Sequence, residues 1–501
     1  MAVDAVAELA KRLASAKVLV AADVRAETVS RIDLDVLVAK IIERHTGEEL
    51  SFVDEAEIAM IADTVETEKA PRPIEITMQS DFKPAAAEYD SNYQIVDGKD
   101  RERVEGTVND FVEHFRNRLA RIRELMGVRG GISWNGSKLE SLKSMTDGRE
   151  VVITGIVSNK VHTKNGNIML MIEDETGSAR AIFMNGGSER ARELFEKAGT
   201  IVNDEIIGVK GKVSGPFVIV NEMIWPDVPI HEKKSTEEDL AIAFISDTHV
   251  GSKLFMEKNL AHMLKWLKGG VDSKSKAIAG KIKYIVVGGD IADGIGVYPR
   301  QERDLAVLDV YAQYRIFFSF LQQIPDYIQV FVIPGNHDAV QRAEPQPPFN
   351  EDILQDFKQH NVKILPNPSY LRLHGIDVLT YHGTSLDSVI AAVPGSSYAR
   401  PEKAMLEILK RRHLSPIYGG NIIVPTKNDS LVIDRIPDIL HMGHIHKNGL
   451  TEYHGVDIVN SGTWQDRTDF QIQQGHIPTP CLMPVFETKT HNFTTINFAN
   501  D

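Results

Sequence analysis

Residues of metal-binding type fall in five short clusters in the second half of the chain, each directly after an apolar run. AIAFIS runs into Asp247-Thr248-His249, and YIVV runs into Gly288-Gly289-Asp290, with Asp293 three residues on. VFVI leads to Pro334-Gly335-Asn336-His337-Asp338, VLTY to His382-Gly383, and DILHMG to His444-Ile445-His446. In Asp247-x-His249 and His444-x-His446, side chains of period two share one face of an extended segment, so each pair is expected to grip one ion together. Carboxylate, imidazole and amide oxygen without thiolate suit Mn²⁺, Fe or Zn²⁺. Asp247, His249, Asp290, Asn336, His382, His444 and His446 make seven donors, too many for one transition metal. Two divalent ions roughly 3.5–4 Å apart, sharing Asp290 as a bridging carboxylate, would use them all. One such fragment alone is an ordinary strand end; five in order at the strand ends of one unit carry the metal reading.

Elements that could present these clusters are legible around them. From Leu240 apolar strands alternate with helices: strand 240–246, helix 257–268, strand 282–287, helix 302–323, strand 328–333. This is the βαβ pattern of a sheet covered by helices, whose carboxyl edge is where converging loops place a site. Short strands at 362–365, 376–380, 439–443, 456–460 and 483–486 predict a second sheet layered on the first. The expected class is α/β, a two-layered β-sandwich flanked by helices over 236–501. Ahead of it, three strands, a helix and two strands between 149 and 224 give the order of an OB-fold barrel. The barrel's aromatics are sparse (Phe183, Phe217, Trp225), so it is expected to dock protein rather than single strands. Residues 108–235 group this barrel with a helix lined by Phe111, Phe115, Leu119, Ile122 and Met126. Arg116, Arg118, Arg121, Arg123 and Arg129 make that helix the most basic short stretch, suited either to a nucleic-acid backbone or to acidic neighbours. Residues 1–63 carry the apolar stripes of a small helical domain, the second ended by Gly47. Residues 64–107, with Pro71, Pro73, Pro84 and alternating charges, are expected to be a flexible linker.

The 501 residues, at roughly 150 per domain, predict about three domains. The net charge of −14 excludes a chain whose whole surface is a basic glove for nucleic acid. A single cysteine, Cys481, excludes an internal disulfide and a cysteine-rich zinc module, and fits a reducing cytoplasm. No apolar run approaches the ~20 residues that span a bilayer, so a soluble protein without membrane contact is expected. No P-loop motif is present, so ATP-driven work is not indicated.

The order D-x-H, G-D, G-N-H-D, H, G-H-x-H resembles the calcineurin-like metallophosphoesterase family. FISDTHVGSKLF, VVGGDIADGIGVYP, PGNHDAV and MGHIHKNG resemble the small (exonuclease) subunits of archaeal family-D DNA polymerases, as does the order helical N-terminus, linker, OB barrel, phosphoesterase. The resemblance implies that Asp247, His249 and His446 hold a first ion, that Asn336, His382 and His444 hold a second, and that Asp290 bridges. It also implies that His337 is the catalytic histidine, which then should not be a ligand if it is to protonate the leaving oxygen. Asp338 would either orient His337 or cap the following turn. Asp293 falls near a second acidic position of many relatives. The family's phosphate-clamping arginine is missing after Asp293, leaving Arg300 and Arg342 as candidates. His441 is expected to pack, and His360, His374 and His413 to be structural or at the surface.

The function implied is a two-metal 3′–5′ proofreading exonuclease that is also the scaffold of a replicative DNA polymerase, probed first with Mn²⁺. Its implied partners are the large polymerising subunit, single-stranded 3′ ends of DNA and a sliding clamp. Two alternatives stand beside it: a catalytically silent scaffold, like the eukaryotic B-subunits this chain also resembles, and a stand-alone metal-dependent repair nuclease.

Overall fold

Three runs with almost no polar side chain build the centre of the second half: Ala241–Ile245 (β1), Ile282–Val287 (β2) and Gln329–Val332 (β3). Every residue of all three is buried, as expected for parallel strands covered on both faces. The computed structural model describes residues 2–30, 32–45, 51–69, 77, 81–97, 104–270, 273–355 and 357–499. In it Ile245 lies beside Val287 and Val287 beside Val332, so the three carboxyl ends are level. This register places the loops carrying Asp247, Asp290 and Asn336 along one edge.

β1–β3 belong to a six-stranded sheet in the order 362–364, β3, β2, β1, 482–487, 492–497. A second six-stranded sheet runs 448–453, 456–461, Ile439–Met442 (β5), Ile376–Thr380 (β4), 369–373, 93–97. Phe244, Tyr284, Val286, Phe331, Leu371, Val378 and Ile439 fill the space between the sheets. Helices Glu257–Leu267 and Val310–Leu321 cover the outer face of the first sheet. Helices Leu386–Ala392 and Pro401–Arg411 cover that of the second. The mixed α/β class expected from the sequence holds. Two strands change sheet: 362–364 pairs with β3 and 482–487 with β1, so both extend the first layer rather than forming the second. The helix expected at 302–323 is shorter, because Asp309 accepts from the backbone N–H groups of Tyr311 and Ala312 and starts it at Val310.

Five strands, Glu150–His162, Ile168–Asp174, Gly177–Phe183, Ile206–Ser214 and Phe217–Ile224, close into a barrel. Helix Glu189–Gly199 lies between the third and fourth, in the expected chain order. The arginine-rich helix Val108–Met126 turns its charges inward, which decides between its two readings. Arg118, 2% exposed, donates from Nε to Asp429 at 2.6 Å, and Arg123 reaches Asp174 and Glu175. Arg121 reaches Asp434, and Arg129 donates to backbone carbonyls around Pro226. Only Arg116 of the five is solvated, paired with Glu113.

The expected linker is corrected. Phe82 is buried in the core beneath the first sheet, and Ala86 donates its N–H to the Gly280 carbonyl at 2.8 Å. Tyr93–Asp97 pairs antiparallel with Ser369–Leu373 as an edge strand of the second sheet. Tyr93 and Ile95 pack on the core between the sheets, a partner nearly 280 residues away that leaves no local periodicity. Pro71, Pro73 and residues 98–103 lie outside the described residues, as does Gly47. The N-terminal unit has its own core, and adds to its helices a parallel pair, Val18–Val20 with Ser51–Val53; helix Glu55–Lys69 runs past the boundary expected at 63. Among the described residues no helix is long and apolar enough to cross a membrane.

Candidate metal centre

The level ends of β1–β3 and the ends of β4 and β5 bring all seven expected donors together. Three overlapping groups form: Asp247, His249 and His446; His249, Asp290 and His337; Asp290, His382 and His444. His249 and His446 face each other with their Nε2 atoms 3.0 Å apart, and His446 Nε2 lies 3.3 Å from Asp247 Oδ1. Asp290 Oδ2 lies 3.8 Å from His249 Nε2 and 3.3 Å from His382 Nε2, so one carboxylate serves both sides. Asn336 Oδ1 lies 2.8 Å from His382 Nε2.

The loops achieve this by strained turns, not by extended backbone, which corrects the expected geometry of the two short pairs. Asp247, His249, Asp290, His444 and His446 all have φ between 46° and 67°, the left-handed region. Each costs about 1–3 kcal/mol outside glycine and persists only where packing enforces it. Asp247 and His249 still share one group, as expected, but His444 and His446 do not grip one ion together. His446 joins Asp247 and His249, while His444 joins Asp290 and His382. Two glycines make room for the carboxylates. A Cβ at Gly335 would lie 2.2 Å from Asp290 Oδ1, and one at Gly443 2.3 Å from Asp247 Oδ2.

The hydrogen bonds behind the rings decide what the front atoms offer. His382 Nδ1–H is donated to the Gly288 carbonyl at 2.8 Å, which leaves an Nε2 lone pair facing the oxygens of Asp290 and Asn336. Three acceptors aimed at one point repel one another unless a proton or a cation lies among them. His249 Nδ1 is likewise held by Asp293 Oδ1 at 2.8 Å, turning its Nε2 forward. Such backing by carbonyl or carboxylate orients metal-binding imidazoles and raises their basicity. His446 Nδ1 lies 2.8 Å from Gln471 Nε2, and His444 Nε2 2.9 Å from Asp387 Oδ2. The donor set therefore fits divalent cations of the Mn²⁺, Fe or Zn²⁺ kind.

Electrostatics point the same way. Burial disfavours charge on His382, yet Asp290 and the groups around it outweigh burial and raise its pKa to about 10. His249 is raised well above the imidazole range against burial by Asp247, Asp293 and Asp290. Asp247 and Asp290 are both held below the carboxylate range, again against burial, by the surrounding histidines. A buried nest of carboxylates demands positive charge, which protons or metal ions can supply.

His337 has a different environment. Its Nδ1 lies 2.8 Å from the Asp293 carbonyl, its backbone N–H donates to Asp290 Oδ1 at 2.7 Å, and burial pulls its pKa below the ordinary value. Asp338 does not orient it. That carboxylate accepts from the N–H groups of Ile291, Ala292 and Gly335 and from the Tyr314 hydroxyl, tying two site loops together, and burial beside Asp290 raises it to about 7. His441 packs as expected, with Nε2 on the Ser461 hydroxyl and its ring beside Phe244, while His374 meets Tyr284, His413 meets Asp429 and His360 is exposed.

The donors open onto a cleft of about 290 Å³, also lined by residues that no motif announced: Asp387, Tyr398, Phe470, Gln471 and His476. Among the described residues lining it there is no lysine or arginine. Arg300 is exposed and outside the cleft, and Arg342 lines an adjoining recess beside Asn336 and His337.

A family model described as the B-subunit of DNA polymerases alpha and epsilon matches residues 242–448, the span that carries the seven donors. The DNA polymerase II small subunit of Methanocaldococcus jannaschii is 40% identical over 82% of this chain and 70% of its own length. That of Archaeoglobus fulgidus is 43% identical over 76% of each. Among solved structures, a novel archaeal phosphodiesterase aligns over 51% of this chain and 99% of its own at 12% identity, with a TM-score of 0.27, too loose to argue from. At these identities over most of both sequences, the chain belongs to the family of archaeal DNA polymerase II small subunits, the small subunits of family-D polymerase.

Proposed function

We propose that this chain is a phosphodiester hydrolase acting from the 3′ end of DNA, a 3′–5′ exonuclease within a heteromeric replicative polymerase whose large subunit it also scaffolds. The observation that supports it is the pair of donor groups joined through Asp290 Oδ2, with His337 beside both. Asp247, His249 and His446 would hold one divalent ion, Asn336, His382 and His444 a second, and Asp290 would be shared. When bound, such a pair supplies positive charge against the phosphate's oxygens and makes water acidic enough to attack near neutral pH. That charge is needed here, because among the described residues lining the cleft there is no lysine or arginine to meet an anionic substrate.

The chain's own residues do the rest. With Nδ1 held by the Asp293 carbonyl, His337 has Nε2 left to exchange a proton with the departing sugar oxygen. Burial lowers its pKa, so the charged ring is a stronger acid than free imidazole and gives its proton up readily. Asp293 holds the His249 ring with its carboxylate and the His337 ring with its carbonyl, coupling the donor set to the proton donor. Asp338 keeps the two loops in register without touching the substrate side.

The test is a 5′-labelled single strand incubated with the purified chain and Mn²⁺, beside His337→Ala and Asp290→Asn. A ladder shortening from the 3′ end, lost in both variants, is expected. A wild-type chain as inert as the variants would favour the silent scaffold, and co-purification with a large polymerase chain separates both from a stand-alone nuclease.

A further inference from the structure

Aromatic rings line the same cleft as the donors, and the short segment that carries one of them is bonded to a donor. The short helix Asp469–Gln473 is closed by a capping box, in which Thr468 and Gln471 exchange hydrogen bonds. Gln471 Nε2 then meets His446 Nδ1 at 2.8 Å, which fixes the helix to the first donor group. Its neighbour Phe470 lines the cleft with 64% of its surface exposed. Asp387 receives His444 Nε2 at 2.9 Å, and it lines the cleft together with Tyr398. Tyr398 stacks on His476 with centroids 4.0 Å apart and planes 29° apart, and both rings line the cleft. On the His337 side stands Tyr298, 6.3 Å from that ring.

A lone exposed ring needs no partner, but aromatic rings gathered in one cleft and rimmed by polar side chains mark a binding site. The cleft's volume sits at the small end of what a compact organic ligand fills, so a nucleotide enters and a duplex does not. Among the described residues lining the cleft there is no lysine or arginine to grip a sugar–phosphate backbone beyond the donor groups, whereas every base has a π-face that stacks on aromatic rings. We propose that Phe470, with the Tyr398–His476 pair, is the platform on which an unpaired base at the strand's end stacks while its phosphodiester lies over the donor groups. This rests on the hydrolytic reading above and adds specificity: the platform selects frayed or single-stranded ends. Ile472 and Ile477, 52% and 66% exposed, continue the apolar surface outside the cleft and do not line it.

The test uses the full chain with Mn²⁺ in a His337→Ala background, and a single strand ending in 2-aminopurine, whose fluorescence falls on stacking. Binding should quench the probe. Phe470→Ala should abolish quenching and weaken binding by about five- to a hundredfold, the loss of one base–aromatic contact. Phe470→Tyr should restore both, and a strand with an abasic end should bind both versions equally. Unchanged quenching and affinity in Phe470→Ala would overturn the proposal. So would intact DNA binding with loss of the large polymerase subunit on purification, which would make the segment a protein contact. If wild-type chain leaves strands uncut while Phe470→Ala still loses quenching, hydrolysis fails and stacking stands. If Phe470→Ala with His337 intact cuts single strands at the wild-type kcat/KM, stacking fails and hydrolysis stands.

Discussion

Replacing Asp290 by asparagine changes one charge and almost no volume, at the atom both donor groups share. Oδ2 stands 3.3 Å from His382 Nε2 and 3.8 Å from His249 Nε2. At an effective dielectric of about 20, a unit positive charge at those distances interacts with the carboxylate by about 5 and about 4 kcal/mol. At 1.4 kcal/mol per tenfold, removing the charge should weaken each of two bound divalent ions by at least about a thousandfold, since each carries twice the unit charge. The asparagine oxygen still accepts the His337 N–H that Oδ1 takes at 2.7 Å, so the fold should survive. Titration of metal-free chain with Mn²⁺ against a fluorescent chelator measures both sites, and circular dichroism melts check folding. Asn336→Ala, which touches only the group around His382, should weaken one site and spare the other. Two Mn²⁺ ions held by Asp290→Asn within tenfold of wild type, or the loss of only one, would refute the shared role of this carboxylate.

Further outcomes follow from particular contacts. Gly335→Ala would put a methyl 2.2 Å from Asp290 Oδ1 and 2.5 Å from the Asp290 backbone N, so it should lower hydrolysis about a hundredfold and lower the melting temperature as well; wild-type activity and melts would show that the loop yields. Arg411 is buried with Glu205 of the barrel and Glu407; Arg411→Ala strands Glu205 and should cost about 3–5 kcal/mol in denaturant melts, much of it recovered by adding Glu205→Gln. No recovery in the double variant would show that lost packing, not the uncompensated charge, causes the loss. Burial and the nearby Arg118 hold His413 down to about 4, below the roughly 6.5 of an unfolded histidine. The unfolded chain therefore binds the extra proton between those values, and stability falls as pH drops through that window. Between pH 7 and 4.5 the wild type should lose about 2 kcal/mol more than His413→Gln, and equal losses would remove His413 from the cause.

The donor clusters were legible because each is local. An apolar run followed within a few residues by glycine and a ligand-type side chain is a pattern that backbone alternation and turn sterics write into short stretches of sequence. The barrel's strand order and the βαβ core were readable for the same reason. What misled was assuming regular backbone at the donors: all four residues of the two short pairs are left-handed, and while Asp247 and His249 share a group, His444 and His446 go to different ones. Nor did the arginines of Val108–Met126 reveal their direction, since Arg118 finds Asp429 311 residues later.

Sequence alone determined which side chains can take part, and that they stand at strand ends, because short-range sterics and apolar periodicity act within a few residues. The partition of the donors follows the one the resemblance implied; tertiary structure alone decided the backing by Asp387 and Gln471, the aromatic lining and the added strand Tyr93–Asp97. Those depend on contacts between segments tens to hundreds of residues apart. Their strength comes from burial and register, which no single stretch of chain records.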